Sequence, residues 1–208
     1  MAEQARQEPS KALRRKWILL GILGFVLFLI GVVACYTGAR TGKPWIGPLV
    51  VGLVAGVRLA MGPARLATLE VLGVTTGMAF VAESTLVLCG VYTPADPTRW
   101  LLPAPLVPVW LLALWTNFGV RIGDYLPFMY GKWGRLLALS AVFGTLIFHN
   151  AERYEVLTMD LGVTSYLIVA ALWAGLVPAM FLVGAHLFGM ARQASASGDM
   201  NGARAPVG

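Results

Sequence analysis

The chain has 208 residues, 58% of them hydrophobic and only 12% charged, with a net charge of +6 and a mean hydropathy of +0.73. Charged residues make up about a quarter of an ordinary soluble domain, so a single water-soluble core is excluded and lipid is the expected solvent. The basic balance comes without any RNA- or DNA-binding motif, and two cysteines are too few for a disulfide framework or a four-ligand metal site, so neither nucleic acid nor a bound metal is expected.

Taken in chain order, six stretches are apolar enough to cross a bilayer, which needs about 20 such residues per helix. They run Trp17–Tyr36, Pro44–Met61, Ala67–Gly90, Ala104–Ile122, Arg135–Ala151 and Gly162–Phe188. The connections are short, so the expected fold is all-α: one six-helix transmembrane bundle over residues 17–188. A basic tail (1–16) precedes it, and a small, polar tail expected to be disordered (189–208) follows. With the N-terminus inside, twelve of the sixteen Lys and Arg fall on the cytoplasmic side, among them Lys11, Arg14, Arg15 and Lys16. Arg40, Lys43, Arg99 and Arg153 are left outside. This bias predicts a multi-pass inner-membrane protein with both termini in the cytoplasm.

The first stretch begins like a signal peptide and contains Val32-Val33-Ala34-Cys35, which has the form of a lipoprotein cleavage box. Its apolar run of 20 exceeds the usual signal core of about 7–15 residues, and an uncleaved helix is the expectation. Gly52 and Gly56, and Gly73 and Gly77, lie four apart, a spacing that lets helix backbones approach closely. Pro178 is expected to kink the sixth helix, and Trp17, Trp45, Trp100 and Trp133 fall near span ends as interfacial anchors.

Against this apolar background the third stretch, ATLEVLGVTTGMAFVAESTLVLCG, carries Glu83. A charge at that depth is costly and by default marks a partner, a pathway or a site. Glu83 falls in the outer half of its helix, with Thr76 seven residues back on the same face. Such a carboxyl is either neutral or paired. Its expected neighbours are Tyr36, His149, Asn150 and Arg153, near the outer ends of other helices. The functional reading is a proton-transfer carboxylate helped by His149, or a ligand anchor. The structural reading, which is favoured, is a carboxyl hydrogen-bonded between helices. His149 and Glu152 share a helical face at i, i+3, but metal-binding bundles repeat that pair on a second helix and this chain does not.

The fourth stretch offers a second constellation. Asn117, Arg121 and Asp124 are spaced i, i+4, i+7 and project from one face near the cytoplasmic interface, where Arg58 and Glu70 lie at similar depth. They read either as a basic pocket for a lipid head group or anionic substrate, or as an anchor with an interhelical hydrogen bond from Asn117; the anchor is favoured. Cys35 and Cys89 fall at matching outer depths and form a candidate disulfide pair, with two buried thiols as the alternative. No Ser/His/Asp arrangement, phosphate-binding glycine loop or HExxH is present, so common hydrolase and nucleotide chemistries have no support.

The block LLPAPLVPVWLLALWTNFGVRI (101–122), with GVVACYTGA closing the first helix and VFGTLIFHNAERYEVL in the fifth, resembles a family of small bacterial inner-membrane proteins of unknown function. That family carries a Pro-Leu-Trp-Leu-Leu-Ala-Leu-Trp helix. The likeness spans Trp17 to Phe188 and implies a membrane fold and address, with no activity to carry over. Glu83 stands where the family usually has aspartate, and Val120-Arg121-Ile122-Gly123 where it often has an Asn-His-Ser-like segment, so the resemblance carries no site to that segment.

Together these features predict a protein that binds lipid or another hydrophobic ligand, or serves as an accessory subunit of a membrane complex. Membrane lipids are its expected partners, with other membrane subunits as candidates, and no cofactor is assigned. The alternatives are a lipid-modifying enzyme using Glu83 and His149, and a small-solute carrier, for which Glu83 outside and Asn117–Arg121 inside make a sparse polar path. The candidate ligand-binding residues are Thr76, Glu83, Asn117, Arg121 and Asn150.

Overall fold

The computed structural model describes residues 11–62, 64–95, 101–103 and 105–202. Arg99 and Trp100, the first ten residues and the last six lie outside the described residues. Helices form at all six expected places. They are α1 (Lys11–Arg40), α2 (Ile46–Met61), α3 (Arg65–Leu88), α4 (Val109–Gly119), α6 (Trp133–Arg153) and α7 (Val163–Gly202), with a short α5 (Ile122–Met129) between α4 and α6. Three are long and apolar enough to cross a membrane: α1 over Gly21–Arg40, α3 over Arg65–Leu88 and α7 over Val163–Gly189.

The fourth stretch departs most from expectation. Pro103, Pro105 and Pro108 have no N–H to give a helical ladder and disfavour helix in the residue before them, so α4 starts only at Val109 and has 11 residues. At 1.5 Å per residue it is about 17 Å long, short of a hydrocarbon core of about 30 Å. It is instead a central, mostly apolar helix packed against α1, α2 and α3. The end of the non-helical approach to it is sheltered: Val107 is fully buried and its N–H donates to Ser84 Oγ on α3 at 3.1 Å, whereas Leu101, Pro103 and Pro105 are exposed. Irregular backbone survives in an apolar surround only when protein groups satisfy it in this way.

The sequence also gives no warning of a two-stranded ribbon, β1 (Tyr92–Pro94) paired antiparallel with β2 (Leu157–Met159), Thr93 opposite Thr158. The helices feeding it end alike. In α3, Gly90 N–H reaches Val87 O and Val91 N–H reaches Leu86 O. In α6, Glu155 N–H reaches Glu152 O and Val156 N–H reaches Ala151 O. Both are the paired C-terminal bonds that require a left-handed residue. Gly90 supplies it at φ +65°, and Glu155 at φ +56°. The ribbon turns Tyr92, Pro94, Leu157 and Met159 inward and the threonines outward, closing one end of the bundle.

Several expectations are corrected. The tail expected to be disordered from residue 189 continues α7 as helix to Gly202, in keeping with the alanines of Ala191–Gly202 and the helix-forming Arg192 and Gln193. Likewise α1 already includes Lys11–Lys16 of the basic tail. Gly52, Gly56, Gly73 and Gly77 face outward, with nothing near the position a Cβ would take. Close approach falls instead at Gly31 against Asn117, Gly47 against Cys35, Gly119 against Thr75 and Gly144 against the Trp173 ring. The candidate disulfide is absent: Cys35 is buried against Gly47 of α2, Cys89 is exposed at the end of α3, and both are free thiols.

Candidate functional site

Glu83 is 0% exposed and sits among α3, α4, α7 and the ribbon. Trp115 of α4 donates from Nε1 to Oε1 at 2.9 Å, and Tyr92 of β1 donates from its hydroxyl to Oε2 at 3.0 Å. Both carboxylate oxygens are therefore engaged by donors from separate elements. Burial, with Glu83 beside it, pushes the Tyr92 phenol well above its usual range, so it stays a protonated donor. Trp173 of α7 stacks on Trp115 with ring centroids 4.2 Å apart. Its indole N–H lies close enough to act on Glu83 but makes no hydrogen bond of normal geometry. Phe148 of α6 meets Tyr92 edge-on at 5.0 Å, completing an aromatic enclosure.

The neighbours expected for Glu83 lie elsewhere. Tyr36 donates to Ile147 O at 2.8 Å, tying α1 to α6. His149 and Asn150 are exposed on α6 because the face that turns inward there carries Phe148 and Ala151. His149 Nδ1 lies 3.5 Å from the Tyr166 hydroxyl, and that hydroxyl donates a short hydrogen bond to Glu152. Glu152 also accepts from Met159 N–H of the ribbon at 3.2 Å. Glu83 and His149 are thus not brought together. Thr76 pairs with Thr116 across α3 and α4 at 3.1 Å, on the seam that carries Glu83 but without touching it.

Sequence reasoning missed Tyr92 and Trp115. For Trp115 a signal was available: a tryptophan far from both ends of an apolar stretch needs an acceptor for its N–H, and Glu83 is the carboxylate at that depth. For Tyr92 there was none, because only the ribbon's turn brings it back onto α3.

At the opposite end the expected single helical face is broken, because α4 ends at Gly119 and Arg121 lies in the turn before α5, but Arg121 and Asp124 still meet and Arg58 joins them. Arg58 bonds Asp124 Oδ1 at 2.6 Å, while Arg121 bonds Asp124 Oδ2 at 3.3 Å. Arg121 is 6% exposed. Asn117 is fully buried and donates to Phe28 O of α1 at 2.9 Å. Gly24 and Gly31, seven apart on α1, leave room for Arg121 and Asn117 respectively, which is why α1 can close over so polar a group. Among the described residues, Arg58 Nε, Arg121 Nε and Asn117 Oδ1 are buried without a hydrogen-bond partner, as is Trp173 Nε1 at the Glu83 end.

Fold and site define a helical protein with helices fit to cross a membrane and two charged constellations, one enclosed near the ribbon and one at the far end. The chain belongs to the DUF2878 family, described as a protein of unknown function, whose model matches residues 21–179. No curated protein and no solved structure matches the chain.

Proposed function

We propose that this protein crosses the inner membrane six times with both ends in the cytoplasm, and that it binds lipid or a hydrophobic partner rather than transforming one. The carrying observation is the closure of Glu83: at 0% exposure, with both oxygens taken by Trp115 and Tyr92, it has no free edge to offer a substrate. Its intended helper His149 stands exposed on α6. General acid–base work needs a carboxyl within hydrogen-bond reach of the reacting group, and this one holds three elements together instead. The topology is supported by the Lys and Arg bias and by helices that run alternately between the ribbon end and the Asp124 end. On this reading the fourth crossing is made by the approach to α4, α4 itself and α5.

Native mass spectrometry of the detergent-purified protein tests the binding reading; a co-purifying lipid or subunit is expected, and a bare monomer overturns it. Glu83→Gln is expected to leave that cargo and any cellular phenotype unchanged. A variant that folds and keeps its cargo yet loses the phenotype would return Glu83 to catalysis. Exposed Cys89 serves as a topological probe: a membrane-impermeant maleimide is expected to label it from outside intact cells. Labelling only after lysis would invert the orientation.

A further inference from the structure

The Arg58–Arg121–Asp124 cluster holds more positive charge than its own carboxylate neutralises. Two guanidinium groups face one carboxylate, and both oxygens of Asp124 are already engaged. Net charge +1 therefore remains among the described residues of the cluster. Arg121 is more than nine-tenths buried, and among the described residues its Nε–H has no partner and Arg58 Nε is likewise buried and unpaired. An arginine presents five N–H donors in a fixed fork suited to phosphate, and here donors of that fork are left over from both residues. A surplus cation with unspent donors in an apolar surround calls for an anion.

Access is also built in. The Arg58 and Asp124 side chains are 35% and 36% exposed, whereas that of Arg121 is 8% exposed. The cluster thus has an open rim and a buried floor. It sits where α2 ends and where α4 gives way to α5, at the end of the bundle that the charge bias assigns to the cytoplasm. Basic sites between helices at that level suit lipid head groups.

We infer that Arg58 and Arg121 together take an anionic phosphate group, with Arg58 as the rim contact, Arg121 as the buried floor and Asp124 as the acceptor that holds both forks in register when the site is empty. This rests on the reading of the protein as a lipid binder and names the chemistry of its ligand. The competing account is a purely mechanical clasp joining α2 to α5, and Asp124 separates the two. A clasp loses its centre when Asp124 becomes neutral and gains nothing. A phosphate site loses a competing anion and binds more tightly.

The test uses the full-length protein, wild type, R58Q, R121Q and D124N, in detergent micelles supplied with phosphatidylglycerol or phosphatidylcholine of identical chains, and separately with inorganic phosphate. Retained lipid is counted by native mass spectrometry and stabilisation followed by thermal unfolding. Wild type is expected to prefer phosphatidylglycerol by about tenfold, the equivalent of one good charge-assisted contact. R58Q and R121Q are expected to bring the preference close to parity, and D124N to raise it above wild type. Inorganic phosphate that stabilises wild type and displaces the lipid identifies free phosphate as the source; stabilisation by lipid alone identifies the head group. Should R121Q not fold, R58Q at the open rim and D124N decide the matter. Equal retention of both lipids without stabilisation by phosphate, or a preference unmoved in R58Q and D124N, overturns the site while leaving lipid binding intact. Retention of neither lipid overturns the parent reading as well.

Discussion

The two charged constellations differ in whether the carboxylate is enclosed and in whether positive charge is left over. Around Glu83 two oxygens meet two donors from α4 and β1 inside an aromatic shell, and none of the carboxylate is exposed. Around Asp124 two arginines meet one carboxylate, donors are left over, and the rim is open. Burying a carboxylate is tolerable when both oxygens have partners, and although the Trp173 N–H beside it has none among the described residues, the centre is sealed. Glu83 caught the eye in the sequence as the lone deep charge, yet with both oxygens engaged we read it as structural. The cluster at the other end looked like an ordinary anchor, and it is the one we infer to take an anion.

The largest expected effect comes from breaking the Glu83 centre. Glu83→Leu strands the Trp115 and Tyr92 donors in the interior, at about 1–3 kcal/mol for each unsatisfied group. A steep fall in thermal stability in detergent is expected, with Glu83→Gln much milder because an amide still offers an acceptor. A Leu variant as stable as wild type would show that the carboxylate holds nothing together. Next in size are W115F and Y92F, each removing one donor and costing about 1–3 kcal/mol. The two donors share one carboxylate, so their effects are expected to be non-additive in a double-mutant cycle; strict additivity would mean that they act independently of Glu83. Gly144→Ala follows: a Cβ there meets the Trp173 ring, and overpacking of this kind costs about 1–3 kcal/mol. Because Trp173 stacks on Trp115, the damage is expected to reach the Glu83 centre as a changed tryptophan emission. Stability lost with emission unchanged would confine the effect to the α6–α7 seam.

The helix ends allow a gentler comparison. Gly90 and Glu155 do the same job at the ends of α3 and α6, but only glycine adopts that conformation without penalty. Glu155→Gly is expected to raise stability, by about 1 kcal/mol, the usual strain of a left-handed residue with a Cβ. A drop in the melting temperature would mean that the Glu155 side chain contributes more than its backbone strain removes.

What was legible in the sequence follows from the range of each signal. Hydrophobic runs placed a helix at each of the six expected positions, because long apolar runs announce themselves locally. Spacing put Arg121 and Asp124 close together and similar depth brought Arg58 to them, but the turn at Val120 and Arg121 that breaks the expected helical face was not read. The short start of α4 was also readable, in Pro103, Pro105 and Pro108, but the apolar run masked it. The partners of Glu83 were not legible. Depth narrows the choice to a layer, and within a layer direction is set by packing: Phe148 and Ala151 take the inward face of α6 and leave His149 outside. The ribbon was beyond reach, since three residues at each strand carry no usable periodicity, and its pairing is what returns Tyr92 to α3.

The smallest expected effect is the one that most sharpens the contrast. Arg58→Gln removes an ion pair whose members are each about a third exposed, and such pairs are worth about 0–1 kcal/mol. Asp124 keeps Arg121 as a partner in the variant, so no charge is left alone in the interior. The melting temperature of R58Q is therefore expected to stay within a few degrees of wild type, far above that of Glu83→Leu. A fall comparable to the Glu83 variant would make the Asp124 cluster a structural keystone like the first. If stability holds, an arginine at the end of α2 contributes little to folding while it keeps unspent donors at the mouth of a cationic recess, which is the signature of a residue held for a ligand.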